Sequence, residues 1–323
     1  MAAPNLNLYS MRRTLTLFTV AAMMASAQEP AVFRARISLV HVDAEVVSQD
    51  GRILTGLSRS DFRVLDEGKE QTIADFSAEE QPLDLILLFD ISGSMRPNVQ
   101  AVGEAARQGF AELRPGDRVS VMVFNTHSRV VAPFSEDRDA MERTVREDVV
   151  ALKFGGGTFI QSAVDDAARG FFNEPRTQRR RAVLVITDNV GLRTRREESV
   201  VRDFWEADAL LSGLIIRSAA FQTAHTIGTV MAPQTLLMQA GMKGIAEKTG
   251  GDAIRSDDPG PAFVDMMHRI RTRYSLYYAA PSGKPGQLRT IRVELTAEAQ
   301  KRFPKARVRA RHGYRTPEIL PAK

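Results

Sequence analysis

Apolar runs and amphipathic stretches alternate through the middle of the chain, from Asp84 to about Arg273. The apolar runs are bounded by turn residues, which is typical of strands buried on both faces of a parallel sheet. They predict strands at Leu85–Phe89, Val119–Phe124, Ala182–Thr187, Ser212–Arg217 and Ala253–Ile254, with Ser128–Ala132 pairing back onto the second. Helical spacing occurs at Val99–Leu113, Asp137–Val150, Thr158–Phe172, Glu197–Leu210, Pro233–Thr249 and Pro261–Arg273. The alternation predicts an α/β domain with a mostly parallel central sheet and helices on both faces.

The two ends of the chain have a different pattern, in which apolar and polar positions alternate as in half-buried strands. Before the helical region these strands are Ile37–Val47, Phe62–Leu65 and Thr72–Phe76, of which the last two form a predicted hairpin. After it they are Ser275–Ala280, Thr290–Leu295 and Arg307–Arg311. Neither end has enough strands for a stable sandwich of its own. We therefore predict one β-sandwich-like domain built from both ends, with the α/β domain inserted; two separate β appendages are the alternative.

The start of the chain has the features of an export signal. Arg12 and Arg13 precede the apolar stretch Thr14–Met24, and Ala25-Ser26-Ala27 supplies small residues for cleavage. At about a dozen residues the stretch is too short for the alternative, a membrane anchor, which needs roughly 20. We predict a signal peptide over residues 1–27, a secreted or periplasmic bacterial protein, and no stable membrane insertion after cleavage. The other predicted segments are an N-terminal β segment at 31–80, the α/β domain at 82–273 and a C-terminal β segment at 274–316.

Composition adds two exclusions. The chain has no cysteine, which rules out disulfides and thiolate metal sites. Its 323 residues include 44 basic and 39 acidic side chains, a formal charge of +5 that gives little reason to expect a nucleic-acid partner. We interpret the two basic stretches, Arg179–Arg181 and Lys301–Arg315, as solvated faces.

Three polar segments follow predicted strands or open a predicted helix. They are Asp90-Ile91-Ser92-Gly93-Ser94, Gly155-Gly156-Gly157-Thr158 and Thr187-Asp188-Asn189. Ligands of open α/β sheets collect at the carboxyl ends of the strands, so we expect these segments to meet there. Carboxylate and hydroxyl oxygens suit a hard divalent cation.

In this order, the three segments resemble the metal-ion-dependent adhesion site of the von Willebrand factor type A family, whose domains have a Rossmann-like fold. The resemblance implies that Ser92 and Ser94 ligate a cation through their hydroxyls and that Thr158 ligates it when a partner is bound. It implies that Asp90 and Asp188 hold the cation largely through water. An acidic side chain of a protein partner would fill the remaining position. Mg²⁺ is the expected cation, with Ca²⁺ and Mn²⁺ left open.

The flanks are similar to an acidobacterial subfamily of these A-domain proteins. The similar segments are Val42–Val47, Asp50-Gly51, Gly56-Leu57, Asp61–Val64, Asp66–Gln71, Arg273–Tyr278 and Arg309–Tyr314. The resemblance thus covers essentially the whole mature chain. It implies the fold more than a function, because the subfamily has no firmly assigned activity. The sequence departs from the family at Asn189, where the usual residue is Gly; Asn tolerates a left-handed backbone better than most residues.

The sequence lacks the motifs of three enzyme classes. A phosphatase of the haloacid dehalogenase type needs a second carboxylate two residues after its first Asp, and Ser92 occupies that position. No Walker loop and no Gly-x-Ser-x-Gly elbow is present. His127 is interpreted as a solvated turn residue near the rim of the site, and Trp205 as a core residue. We therefore predict no catalytic and no cofactor-binding residues other than the metal ligands.

These observations predict an exported, non-enzymatic protein that binds another protein in a cation-dependent manner. One alternative is a structural scaffold in which the metal stabilises loops and binding occurs elsewhere, for instance on an edge strand of the sandwich. The other alternative is a hydrolase with an unrecognised site.

Overall fold

The computed structural model describes residues 38–78, 81–174, 179–191, 194–217 and 241–316. The predicted signal peptide and the first part of the helix predicted at Pro233–Thr249 lie outside these ranges. The strands are β1 Leu39–Val47, β2 Phe62–Asp66, β3 Lys69–Gln71, β4 Ile73–Ser77, β5 Leu83–Asp90, β6 Arg118–Phe124, β7 Ser128–Ser135, β8 Arg180–Thr187, β9 Ala209–Ile216, β10 Ala253–Ser256, β11 Tyr274–Ala279, β12 Leu288–Leu295, β13 Arg307–Ala310 and β14 Gly313–Arg315. The described α-helices are α1 Arg96–Ala111, α2 Arg138–Arg143, α3 Ile160–Gly170, α4 Glu197–Ala207, α5 Met242–Thr249, α6 Pro259–Arg271 and α7 Ala297–Arg302.

The central sheet has six strands in the order β10-β9-β8-β5-β6-β7. All neighbours pair in parallel except β7, which runs antiparallel to β6. Every residue of β5, β8 and β9 is buried, as expected for strands covered on both faces. Strand order reverses at β5, which lies between β6 and β8, and this is where an open α/β sheet binds its ligands. The predicted fold class is confirmed.

Two hydrophobic cores cover the two faces of this sheet. Leu85 and Leu87 of β5 pack in the core that includes Phe110 of α1 and Phe263 of α6. The alternate residue Ile86 points into the other core, with side chains from α3, α4 and α5. The alternation follows from the two-residue period of a strand and places helices on both faces.

Strands from the two ends of the chain share two further sheets. One has the order β13-β1-β11-β4 and the other β14-β12-β2-β3. A third core holds side chains of both sheets, including Val42, Val64, Leu276 and Val293. The flanking sandwich-like sheets are therefore present, and both ends of the chain contribute to each of them.

The predicted hairpin in the N-terminal flank was wrong in its second strand. Phe62–Leu65 pairs with Lys69–Gln71, while Ile73–Ser77 joins the other sheet beside β11. The cause is the tight turn at Glu67 and Gly68, whose φ values of 48° and 75° match a two-residue hairpin turn. Such a turn pairs β2 with the residues that directly follow the turn, so Ile73–Ser77 is left to pair with another strand.

Helix boundaries also differ from the predictions. The helix predicted at Glu197–Leu210 ends at Ala207, because Asp208 adopts a left-handed conformation with φ 54° and β9 begins directly after it. The helix predicted at Asp137–Val150 is α2 followed by a π-helical turn at Thr144–Val149. The short elements β3, β14 and α7 carry too few residues to show a period, and the sequence analysis did not predict them.

The interpretation of Arg179–Arg181 as a solvated face was wrong. Arg180 is completely buried and Arg181 is 5% exposed, both within β8. The Nε of Arg180 donates to Asp43 Oδ1 at 2.9 Å. Burial is tolerated because the guanidinium is paired and hydrogen-bonded. In the second basic stretch, Arg311 is also buried, whereas Lys301 and most of its basic neighbours are exposed as expected.

Candidate metal centre

The turn after β5 is held by its own acidic side chain. Asp90 Oδ1 accepts a hydrogen bond from the Ser92 backbone N–H at 2.9 Å. Asp90 Oδ2 accepts from Thr187 Oγ1, at the end of β8, at 2.7 Å. Asp90 therefore closes the turn locally and links the carboxyl ends of the two neighbouring strands.

The segment Thr187-Asp188-Asn189 meets this turn through Asp188. Ser94 Oγ donates to Asp188 Oδ2 at 2.7 Å, across 94 positions of sequence. The hydroxyls of Ser92 and Ser94 lie 3.4 Å apart. Asp90, Ser92 and Asp188 are buried, and Ser94 is half-buried. Four of the five predicted ligands thus form one hydrogen-bonded cluster.

Thr158 belongs to the glycine-rich loop that lies against the cluster. The Gly155 N–H donates to the carbonyl of Ile91 at 2.9 Å, which ties this loop to the turn after β5. On the other side, a Cβ atom on Gly191 would lie only 2.5 Å from the Thr158 carbonyl oxygen. The half-buried Thr158 side chain forms no hydrogen bond to the other four predicted ligands in the described part of the chain.

Asn189, which stands where the family usually has Gly, adopts the left-handed conformation with φ 59°. Its backbone N–H donates to Thr187 Oγ1 at 3.1 Å, so the turn supports the hydroxyl that bonds Asp90. The side chain is 3% exposed, and its amide oxygen has no hydrogen-bond partner among the described residues. A buried amide oxygen without a donor is an unsatisfied hydrogen-bond acceptor in this turn.

The electrostatics of the cluster favour a bound cation. Burial raises the pKa of Asp90 to about 6, and the neighbouring charge of Asp188 acts in the same direction. No Lys, Arg or His side chain forms an ion pair with Asp90 within the described ranges. A divalent cation would offset this excess of negative charge, so the donor set of two carboxylates and hydroxyls fits a hard metal ion. The described residues contain no group of three His, Cys, Asp or Glu side chains suited to a metal.

Sequence reasoning missed two residues of the site. Thr187 positions Asp90 through its hydroxyl, and Gly191 allows the Thr158 backbone to come close. Thr187 lies in one of the three polar segments, but its position at the end of a strand does not show which carboxylate it bonds. His127, predicted near the rim, is exposed and lines a cavity of about 250 Å³ together with Phe159, the residue after Thr158.

These features define an α/β protein with a cluster of oxygen donors at the carboxyl edge of its central sheet. Residues 85–191 match the family model described as the von Willebrand factor type A domain, and the chain therefore carries a domain of this family. The resemblance of its flanks to the acidobacterial subfamily stays a prediction. No curated protein matches the chain.

The chain is also similar to solved structures, at low identity. A protein described as von Willebrand factor type A from Catenulispora acidiphila is 14% identical, with a TM-score of 0.45, over 88% of this chain and 75% of its own. An aerotolerance-related membrane protein from Bacteroides fragilis is 18% identical, with a TM-score of 0.43, over 58% of this chain and 98% of its own. Proximal thread matrix protein 1 from the mussel byssus, described with a zinc-occupied MIDAS motif, is 12% identical, with a TM-score of 0.45, over 64% of this chain and 50% of its own.

No helix in the described part of the chain is both long enough and apolar enough to cross a bilayer.

Proposed function

We propose that this chain binds a protein partner through a divalent cation held at the carboxyl edge of the central sheet. The observation that carries the proposal is the contact between Ser94 Oγ and Asp188 Oδ2, beside the buried Asp90, which has no ion pair with any described residue. This contact brings hydroxyl and carboxylate donors from two separate loops into one small volume. An acidic group of the partner would complete the set of oxygen ligands.

We assign the five side chains the roles that the resemblance to the adhesion site implies. Ser92, Ser94 and Thr158 would offer neutral hydroxyls, and Asp90 and Asp188 would hold the cation largely through water. When bound, the cation supplies positive charge that attracts the partner's carboxylate. Mg²⁺ is our first choice because it prefers oxygen ligands and retains several waters. Neutral hydroxyls support capture, since they leave more of the ionic charge uncompensated than additional carboxylates would.

We further propose that the protein is exported, acts outside the cytoplasm and has no catalytic activity. Export would depend on the predicted signal peptide at residues 1–27. The binding domain would extend over residues 82–273, with the segments 31–80 and 274–316 forming its β support. The shared sheets of the two flanks favour a rigid platform over two independent appendages.

A capture experiment tests the binding role. The wild-type protein is immobilised and exposed to the envelope fraction of its source cell, with Mg²⁺ or with EDTA. We expect specific partners to be retained with Mg²⁺, released by EDTA, and lost in Ser94→Ala and Asp188→Ala. Gly93→Ala is the matched control, because a Cβ at this position of the same turn meets no atom within 4 Å.

Two outcomes would favour the alternatives. Capture that persists with EDTA and in both variants would point to a scaffold that binds elsewhere, with the metal only stabilising loops. Turnover of phosphate or ester substrates that disappears in Asp90→Ala would point to a hydrolase. Either result would contradict cation-dependent capture as the function.

A further inference from the structure

A second cavity, lined by arginines, lies between α1 and the segment formed by α2 and the following π-helical turn. Its volume is about 490 Å³, roughly twice that of the cavity lined by His127, and within the range of small-molecule sites. The lining includes no residue of the candidate metal centre. We call this cavity the arginine groove and define it by Arg107, Arg138, Arg143 and Arg146.

The groove results from the way the two helical segments meet. A Cβ on Gly103 of α1 would lie 3.0 Å from Val150 Cγ2 and 3.5 Å from the Arg146 Cα, so the segments touch there. One turn further along α1, Arg107 and Ala111 line open space instead. The buried Phe110 lies beneath the floor of the groove. The groove is therefore part of the helix packing and does not depend on a loop.

The charge of the lining is unbalanced. Four guanidiniums face two carboxylates, those of Asp139 and Glu142. Glu142 Oε1 already accepts from Arg146 Nη1 at 2.8 Å, so this acid is paired within the groove. Arg146 Nη2 also donates to Glu147 Oε1 at 2.7 Å, so Arg146 is fully paired. The positive charge of the groove therefore comes from Arg107, Arg138 and Arg143, on a concave surface where field lines are concentrated.

Three of the guanidiniums have no partner among the residues that the structure describes. The side chains of Arg107, Arg138 and Arg143 form no ion pair or hydrogen bond within the described ranges. Many other arginines in the fold are paired, as Arg118 is with Asp84 at 2.6 Å and Arg169 is with Asp203 at 2.9 Å. Unpaired guanidiniums in one groove leave planar, bidentate donors free for an external anion.

We propose that the arginine groove binds a small organic anion that carries two or more phosphate or carboxylate groups. Two anionic groups can pair with the three free guanidiniums, and the spread of these arginines over two helices allows separate groups to be bound at once. The exposed Ala111 offers a small apolar contact for the carbon skeleton of such a ligand. This site is independent of the metal centre and of the proposed capture of a protein partner.

Calorimetric titration with pyrophosphate and with citrate tests the proposal. Buffers are freed of metal with a chelating resin, because both probes also bind divalent cations, and contain about 50 mM salt to limit screening. We expect saturable binding of at least one probe to the full chain. The double variant Arg107→Gln/Arg143→Gln should weaken that binding by about ten-fold or more, since each replaced side chain removes a charge-assisted hydrogen-bond donor.

Two further variants separate the groove from general charge and from the metal centre. Arg129→Gln/Arg255→Gln removes the same charge from exposed positions outside the groove and should leave the affinity within about two-fold. Ser94→Ala should also bind the probe as the wild type does. The proposal is wrong if neither probe binds, if the control double variant loses as much affinity as the groove variant, or if Ser94→Ala abolishes binding. Binding of heparin alone, with neither small probe, would likewise contradict it.

Discussion

Asp90 shows how far single residues could be understood from sequence. Its position after a buried strand predicted that it would meet Ser92, Ser94 and Asp188, because the carboxyl ends of parallel strands share one edge. The structure brings these four together through hydrogen bonds. The sequence could not predict the close approach of Gly191 to Thr158, since it depends on how two loops pack.

Gly191→Ala is predicted to disturb the site without replacing any ligand side chain. Its Cβ would lie 2.5 Å from the Thr158 carbonyl oxygen, which is too close for any real contact, so the Thr158 loop must move. We expect weaker cation binding, by about ten-fold, as for other changes in the residues that orient metal ligands. Titration with Mn²⁺ measures the affinity. Gly93→Ala serves as the control and should bind as the wild type does; equal affinity in both variants would contradict the role of Gly191.

At the scale of elements, strand and helix types were predictable and their ends were not. Buried strands such as β5 and β8 gave clear apolar runs. The end of α4 depends on the left-handed Asp208, and the hairpin of β2 with β3 depends on one two-residue turn. Arg180 in β8 was wrongly interpreted as part of a solvated face. Its acidic partner is 137 positions away, and a local sequence pattern does not show such distant contacts.

Arg180→Met is predicted to destabilise the fold by about 3–5 kcal/mol, because it leaves the carboxylate of Asp43 without its buried partner. Arg180 also donates to the carbonyl oxygen of Arg271, at the end of α6, at 3.0 Å. Denaturant unfolding measures the loss. Arg255→Met, on an exposed strand position, should change stability by no more than about 0.5 kcal/mol. The double variant Arg180→Met/Asp43→Asn should recover part of the loss, and full additivity of the two changes would refute the pairing.

At the scale of the whole molecule, charged side chains join the α/β region to the flanking sheets. His41 of β1 lies 3.3 Å from Asp43 and 3.8 Å from Asp208, the residue after α4. Arg311, from the C-terminal end, donates to Asp208 and to the carbonyl of His41. Shared sheets were predictable from the strand count at each end. The charged contacts were not, because they form only when distant segments meet.

The pH dependence of stability tests these contacts. Burial acts to lower the pKa of His41, but the nearby negative charges of Asp43 and Asp208 outweigh it and raise the pKa from 6.5 to about 9. A raised folded-state pKa stabilises the protein fully below pH 6.5, and this contribution is lost as the pH rises through about 9. The loss should be on the order of 1–3 kcal/mol between these limits, measured by denaturant unfolding. His41→Gln should flatten the profile; an unchanged slope would mean that His41 is not the responsible group.

The most direct measurement of the central claim is a metal titration followed by thermal unfolding. At a Mg²⁺ or Mn²⁺ concentration about 100 times the dissociation constant, binding should stabilise the wild type by about 2.7 kcal/mol and raise Tm by about 5 °C. We predict one binding site per chain and no shift in Ser94→Ala, whose hydroxyl contacts Asp188. If the wild type shows no metal-dependent shift, or if Ser94→Ala shifts equally, the cluster around Asp90 does not bind the cation.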